Sequence, residues 1–206
     1  QYRTVWIGLS DEMVAQQGAG KGEIQMGRAR SAIAVRASQE ALRAALIEAM
    51  NVELVETVVC EDFDAAIDYC RPRSEELGGD EGCEAVYLWT QGEWAIAGDL
   101  SMQLVADPEL SAAVSKSLGE VVSGAIDTYF EYAFFSSCAD GQVKRLLILE
   151  DEELVDEGFP VKAESGQNLD DFTEEDAERL WTSYGLPTFE YDPSDGPFEC
   201  LAVKKN

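Results

Sequence analysis

The chain has 206 residues, 46% of them hydrophobic, and a formal net charge of -26 from 41 acidic and 15 basic side chains, with no histidine. That length supplies one full core, or one large domain with a small annex. So negative a field repels nucleic acid and anionic membrane and attracts basic partners.

Taken in chain order, residues 2–9 (YRTVWIGL) predict a first strand and 10–22 a polar, Gly-rich loop. The loop contains GAGKG at 18–22. A phosphate-binding loop needs a glycine, four further residues, then Gly-Lys and a hydroxyl, so Gly20-Lys21 calls for glycine at 15 and Ser or Thr at 22. Ala15 and Gly22 stand there instead, and a dinucleotide fingerprint counted from Gly18 meets Glu23 in place of its last glycine. The loop is therefore expected to be a surface loop rather than a nucleotide site.

Residues 31–37 (SAIAVRA) predict a second strand, and Ser38 an N-cap. Leu42, Ala45, Leu46, Ala49 and Met50 then follow at helical spacing, with Asn51 as the stop. A strand over 52–60 and a short helix over 62–70 come next. The turn-rich RPRSEELGGDEG at 71–82 is where a boundary falls if this single domain divides into two lobes. EAVYLWT and EWAIAG flank a Gln-Gly turn and predict a hairpin. Asp107-Pro108 opens a helix that Gly119 ends. TYFEYAFFSSC and QVKRLLILE, joined through Asp140-Gly141, predict two central strands covered on both faces. Thr173 and Asp176 predict the start of a last helix, with Ala177, Leu180, Trp181 and Tyr184 on its buried side, Gly185 and Pro187 ending it, and a final strand near 198–203. Strands dominate the middle without a strict strand–helix alternation. The expected fold class is α+β, a mixed or mainly antiparallel sheet with helices packed against it, in one domain over 1–206.

No run of 18 apolar residues occurs, so no membrane-spanning helix is expected, and no signal peptide is visible. The five cysteines (Cys60, Cys70, Cys83, Cys138, Cys200) are odd in number and form no CxxC pair. They read as buried free thiols in a reducing cytoplasm rather than a disulfide framework or zinc site. Without histidine, Ser-His-Asp and Cys-His catalysis are excluded. Carboxylate pairs remain open to acid/base chemistry, but 41 acidic residues give the sequence no means of singling one out. No DxDxDG calcium loop occurs, and YDPSDG at 191–196 has the composition of a turn.

The charge is unevenly placed. Residues 1–50 hold six basic and five acidic side chains, so the remainder carries nine and thirty-six. Three clusters stand out: EDEELVDE at 150–157, DDFTEEDAE at 170–178, and EYDPSDGPFE at 190–199, where carboxylates alternate with aromatics. The second straddles a helix start, where negative charge offsets the helix dipole. A shared acidic face would oppose a basic protein and steer its association. The residues expected to form it are Asp151, Glu152, Glu153, Asp156 and Glu157, supported by Asp170, Asp171, Glu174 and Glu175. Tyr191 and Phe198 are the aromatic anchors of that reading, although core burial is the commoner fate of such residues.

One segment adds to this. In FFSSCADGQVKRLLILEDEELVDEGFPVKAES an aromatic strand precedes Asp-Gly, then Lys-Arg inside an apolar strand, then EG-x-P and a following Glu. Over roughly 128–166 this order resembles uncharacterised bacterial α+β immunity-type proteins encoded beside polymorphic toxins. The resemblance implies a cytoplasmic inhibitor of a secreted toxin domain and carries over no catalytic residue. The leading expectation is thus an acidic, non-enzymatic binding protein that occludes a basic toxin or nuclease domain, with no cofactor and no metal. The alternatives are a carboxylate enzyme using a divalent metal and a scaffold or assembly subunit.

Overall fold

A computed structural model of the chain describes residues 29–74, 83–166, 169, 172–189, 193 and 196–205. The first expected strand, the GAGKG loop and most of the 71–82 stretch lie outside the described residues, as do Asp170, Asp171 and Tyr191.

Nine strands form one sheet: β1 (Ala29–Val35), β2 (Val52–Cys60), β3 (Glu84–Gln91), β4 (Trp94–Asp99), β5 (Val121–Asp127), β6 (Tyr132–Ala139), β7 (Gln142–Glu150), β8 (Glu153–Gly158) and β9 (Phe198–Lys205). Their spatial order is β2-β9-β3-β4-β1-β5-β6-β7-β8. Every neighbouring pair is antiparallel. Five helices join them: α1 (Gln39–Met50), α2 (Phe63–Cys70), α3 (Gln103–Ala106), α4 (Pro108–Leu118) and α5 (Glu174–Thr182). The fold is α+β with an antiparallel sheet.

Local chemistry sets the helix ends. Ser38 Oγ accepts from Ala41 N at 3.2 Å, Asp62 Oδ1 from Ala65 N at 2.9 Å, and Asp107 Oδ1 from Glu109 N at 3.0 Å. Each bond satisfies an amide that the first helical turn would otherwise leave unpaired. Asn51 closes α1 in the left-handed conformation. Thr173 and Asp176 form the reciprocal capping box at the start of α5.

The sheet is buried on both faces, which explains why its inner strands are apolar at successive positions. Ala32 and Ala34 of β1 face one layer with Tyr87, Trp89, Phe135, Leu147 and Phe198, under α2 and α5. Ile33 and Val35 face the other with Leu88, Ala97 and Val121, under α1 and α4. The second layer continues through Met102, Val105, Phe134 and Leu146 beside α3. Two glycines let aromatic rings close on the strands. A Cβ on Gly98 would lie 2.6 Å from the Tyr87 ring, and one on Gly124 3.1 Å from Trp181. The stretch 71–82 falls between β2 and β3, which flank β9 in the same sheet.

Three expectations are corrected. Residues 128–131 are a hairpin turn, not the start of a strand, because Asp127 Oδ1 accepts from Tyr129 N at 2.9 Å and Phe130 N at 3.3 Å and folds the chain back. The strand before that turn, β5, is an additional element. The acidic stretch after β7, for which the sequence predicts no element, turns at Asp151 and Glu152, and Glu153–Gly158 return as the edge strand β8.

Candidate functional site

Antiparallel register brings the β5–β6 and β7–β8 turns to one end of the sheet, since Asp127 pairs with Tyr132 and Glu150 with Glu153. With strands about 4.8 Å apart, the two tips sit roughly 10 Å from each other. The first tip carries Tyr129 and Phe130, 59% and 47% exposed, in edge-to-face contact at 4.9 Å, followed by exposed Glu131. The second carries exposed Asp151, Glu152 and Glu153. Tyr132 at the base of the first tip feels the negative charge of Glu150, although burial is the larger reason its hydroxyl is held above the ordinary tyrosine range. Partial burial, and then the neighbouring Asp151, raise the Glu150 carboxyl.

Helix α5 packs on β5: Trp181 lies over Gly124, and Tyr184, just past the helix, reaches Ser137, which pairs with Val122. Glu174 and Glu175 at its N-terminus both keep solvent contact.

The expected site residues thus divide. Asp151, Glu152 and Glu153 stand together at one end of the sheet, and Glu174 and Glu175 lie in the first turn of α5. Glu157 is exposed farther along β8. Asp156 is exposed but bonded to Arg145. Phe198 is fully buried against Phe63 and Trp89 and offers nothing to a partner; the periodicity of a strand covered on both faces places it in the core. Tyr129 and Phe130 were not foreseen as site residues, because an aromatic run reads as strand. Asp127 ahead of them was the available turn signal.

The Lys-Arg … EG-x-P … Glu order has a structural use. Arg145 is 2% exposed and donates from Nε to Glu164 Oε1 at 2.8 Å, from Nη2 to Glu164 Oε2 at 2.6 Å, and from Nη1 to Asp156 and to the Glu157 carbonyl at 3.0 Å. Burial alone would lower the guanidinium pKa, but the bonds to Glu164 and Asp156 outweigh it and hold the charge. Gly158 lies opposite Arg145 at φ 88°. These residues clamp the edge strand and the segment after it onto β7.

Other clusters offer little to catalysis. All five cysteines are buried and none forms a disulfide, and Cys60 and Cys200 lie with sulfurs 3.6 Å apart. Burial first, then Cys200, push the Cys60 thiol up to about 11, and Cys138 likewise reaches about 11 through burial, so both remain protonated and poorly nucleophilic at neutral pH. A narrow cavity between the sheet and residues 187–189 is walled by Tyr87, Trp89, Trp181 and Phe189, with Arg30 and Ser31 at its side, and among the described residues neither carboxylate nor thiol lines it. Among the described residues, no three Cys, Asp or Glu side chains converge to hold a metal ion. No described helix is long and apolar enough to cross a membrane.

No protein-family model, no curated protein and no solved structure matches the chain.

Proposed function

We propose that the protein is an acidic, non-enzymatic binding protein of the immunity type, occluding a basic toxin or nuclease domain through the hairpin end of its sheet. The carrying observation is the pair of tips: Tyr129 and Phe130 stand exposed beside Asp151, Glu152 and Glu153. Aromatic anchors within a charged rim are the composition in which a few residues supply most interface energy. The carboxylates add long-range steering toward a positive surface, reinforced by the net charge of -26. Five buried thiols, none of them in a disulfide, support a reducing, cytoplasmic setting.

The test is capture from native cell lysate with washes at low and high salt, followed by association kinetics with the captured partner. A basic protein released only at high salt is expected. With Asp151, Glu152 and Glu153 all changed to lysine, association slows and its salt dependence flattens. Unchanged kinetics in that variant remove these residues from the interface, and a partner without basic character overturns the reading itself.

A further inference from the structure

The two edges of the sheet formed by the described strands are unlike. The β8 edge carries Glu153, Asp156 and Glu157 in six residues, and charged side chains are a common device against unwanted strand pairing. At the other edge, β2 has only β9 as a neighbour among the described strands. Three of the six large apolar side chains exposed among the described residues sit on it: Leu54, Val55 (59%) and Val59 (66%). The ladder to β9 shifts between Leu54 and Glu56, then runs in regular register from Glu56 to Cys60. Along that run Thr57 pairs with Leu201 and Val59 with Glu199, which places them on the α1 side. Glu56 and Val58 lie on the α2 side, where the Tyr69 hydroxyl donates to Glu56 at 2.9 Å and Val58 packs on the core.

We propose that β2 is a second docking surface, where an extended segment of a partner chain, alternating basic and apolar residues, adds as a tenth strand along Glu56–Cys60. An unpaired strand edge supplies backbone donors and acceptors for such pairing, and alternate side chains set its specificity. The basic character follows from charge. Residues 52–73 contain six carboxylates, Glu53, Glu56, Glu61, Asp62, Asp64 and Asp68, against two basic side chains, Arg71 and Arg73, of which Arg73 pairs with Glu56 at 3.4 Å. Glu53, Glu56, Glu61, Asp64 and Asp68 are all exposed. Tyr69 and Arg73 already hold Glu56, so basic side chains on the α2 side of the added strand would approach the exposed carboxylates of α2, while apolar ones on the α1 side would extend the strip of Thr57 and Val59. A second copy of this chain is the poorer occupant: it would bring the same carboxylates edge to edge and oppose two net charges of -26. This surface lies at the edge opposite β8, so it stands or falls separately from the hairpin tips.

The experiment is amide hydrogen exchange on the full chain with a short blocked peptide alternating lysine and valine, set against its glutamate–valine counterpart. The lysine peptide is expected to bind saturably and slow exchange in β2, and the glutamate peptide to do neither. Val59→Lys, exposed and remote from the hairpin tips, should weaken binding about tenfold. The Asp151, Glu152 and Glu153 lysine variant should leave protection in β2 in place. No saturable binding overturns the proposal. So does protection confined to the hairpin tips, equal binding of both peptides, or self-association that already protects β2 in the free protein.

Discussion

Arg145 and Glu164 are nineteen residues apart and meet through two parallel hydrogen bonds, 2.8 and 2.6 Å long, with both side chains almost wholly buried. The same carboxylate accepts from Val161 N at 2.8 Å, so Glu164 ties the segment after β8 to the guanidinium and to its own turn. The geometry is that of a planar fork on a planar acceptor, which lysine cannot reproduce. Removing one partner strands the other's charge in a dry setting. Arg145→Ala is therefore expected to cost about 3–5 kcal/mol in urea unfolding. The paired change to Arg145→Met with Glu164→Met should cost much less than either single change. A loss under about 1 kcal/mol in Arg145→Ala would mean that the pair is solvated and does not hold the edge.

Gly158 completes the same clamp. Its φ of 88° is one that side chains rarely adopt, and a Cβ there would lie 2.1 Å from the Lys144 carbonyl oxygen, which accepts from Phe159 N at 3.1 Å. Gly158→Ala must move backbone, not a side chain. Gly185, with φ 80° and nothing near its Cβ, separates the two effects. Gly185→Ala is expected to cost roughly 1 kcal/mol from conformation alone, and Gly158→Ala at least twice that. Equal losses would show that β8 shifts freely and that Gly158 is not a contact point.

Much of this framework is legible in the sequence where one residue controls one local event. Ser38, Asp107-Pro108, Thr173 with Asp176, and Asp140-Gly141 all mark helix starts or a turn that the fold realises. The failures come where a distant contact decides. Val121–Asp127 contains serine and glycine and reads weakly as a strand, yet Gly124 is the seat of Trp181, from a helix almost sixty residues on, and of Phe189 beyond that helix. Glu153–Gly158 reads as an acidic loop because an edge strand needs no buried alternation on its open side. Phe198 reads as an anchor only when the acidic residues around it are considered without the strand that carries it inward. Of the candidate site, the carboxylates were visible in composition. The aromatic tip was hidden by its own β propensity, which the side chain of Asp127 overrides.

Asp99, at the end of β4, is a buried carboxylate with a pH signature. Burial raises its pKa from 3.8 to about 6, against the opposing hydrogen bonds from Ser31 Oγ at 2.5 Å, Ser101 Oγ at 3.2 Å and Leu104 N at 3.3 Å. Between those pH values the folded chain holds a proton that the unfolded chain has released. The stabilisation linked to this group is fully present below about pH 4 and is lost as pH rises through about 6, a fall of roughly 3 kcal/mol. Asp99→Asn mimics the neutral form. Its stability relative to the parent chain should therefore grow by roughly 2–3 kcal/mol from pH 4 to pH 7, read by urea unfolding at each pH. Parallel curves for the two chains would place Asp99 in contact with water.

The β7–β8 turn holds two ordinary residues, Asp151 and Glu152, at φ 51° and 64°. The β6–β7 turn adopts the same pair of positive angles with Asp140 and Gly141, the composition such a two-residue hairpin favours. A side chain in the left-handed region costs roughly 1 kcal/mol or more, so the β7–β8 turn, with two such residues, carries more strain than the β6–β7 turn, with one. Replacing Asp151-Glu152 by Asn-Gly is expected to stabilise the chain by about 1 kcal/mol in thermal or urea unfolding, through relief of that strain and of repulsion with Glu150 and Glu153. Under the proposed function the same variant also loses two of the carboxylates that steer a basic partner, and its association rate should fall while its stability rises. Stability and binding moving in opposite directions is the discriminating result. A variant that gains stability and binds its partner at the parental rate would show that the strained tip serves the fold alone, and the interface would have to be sought away from it.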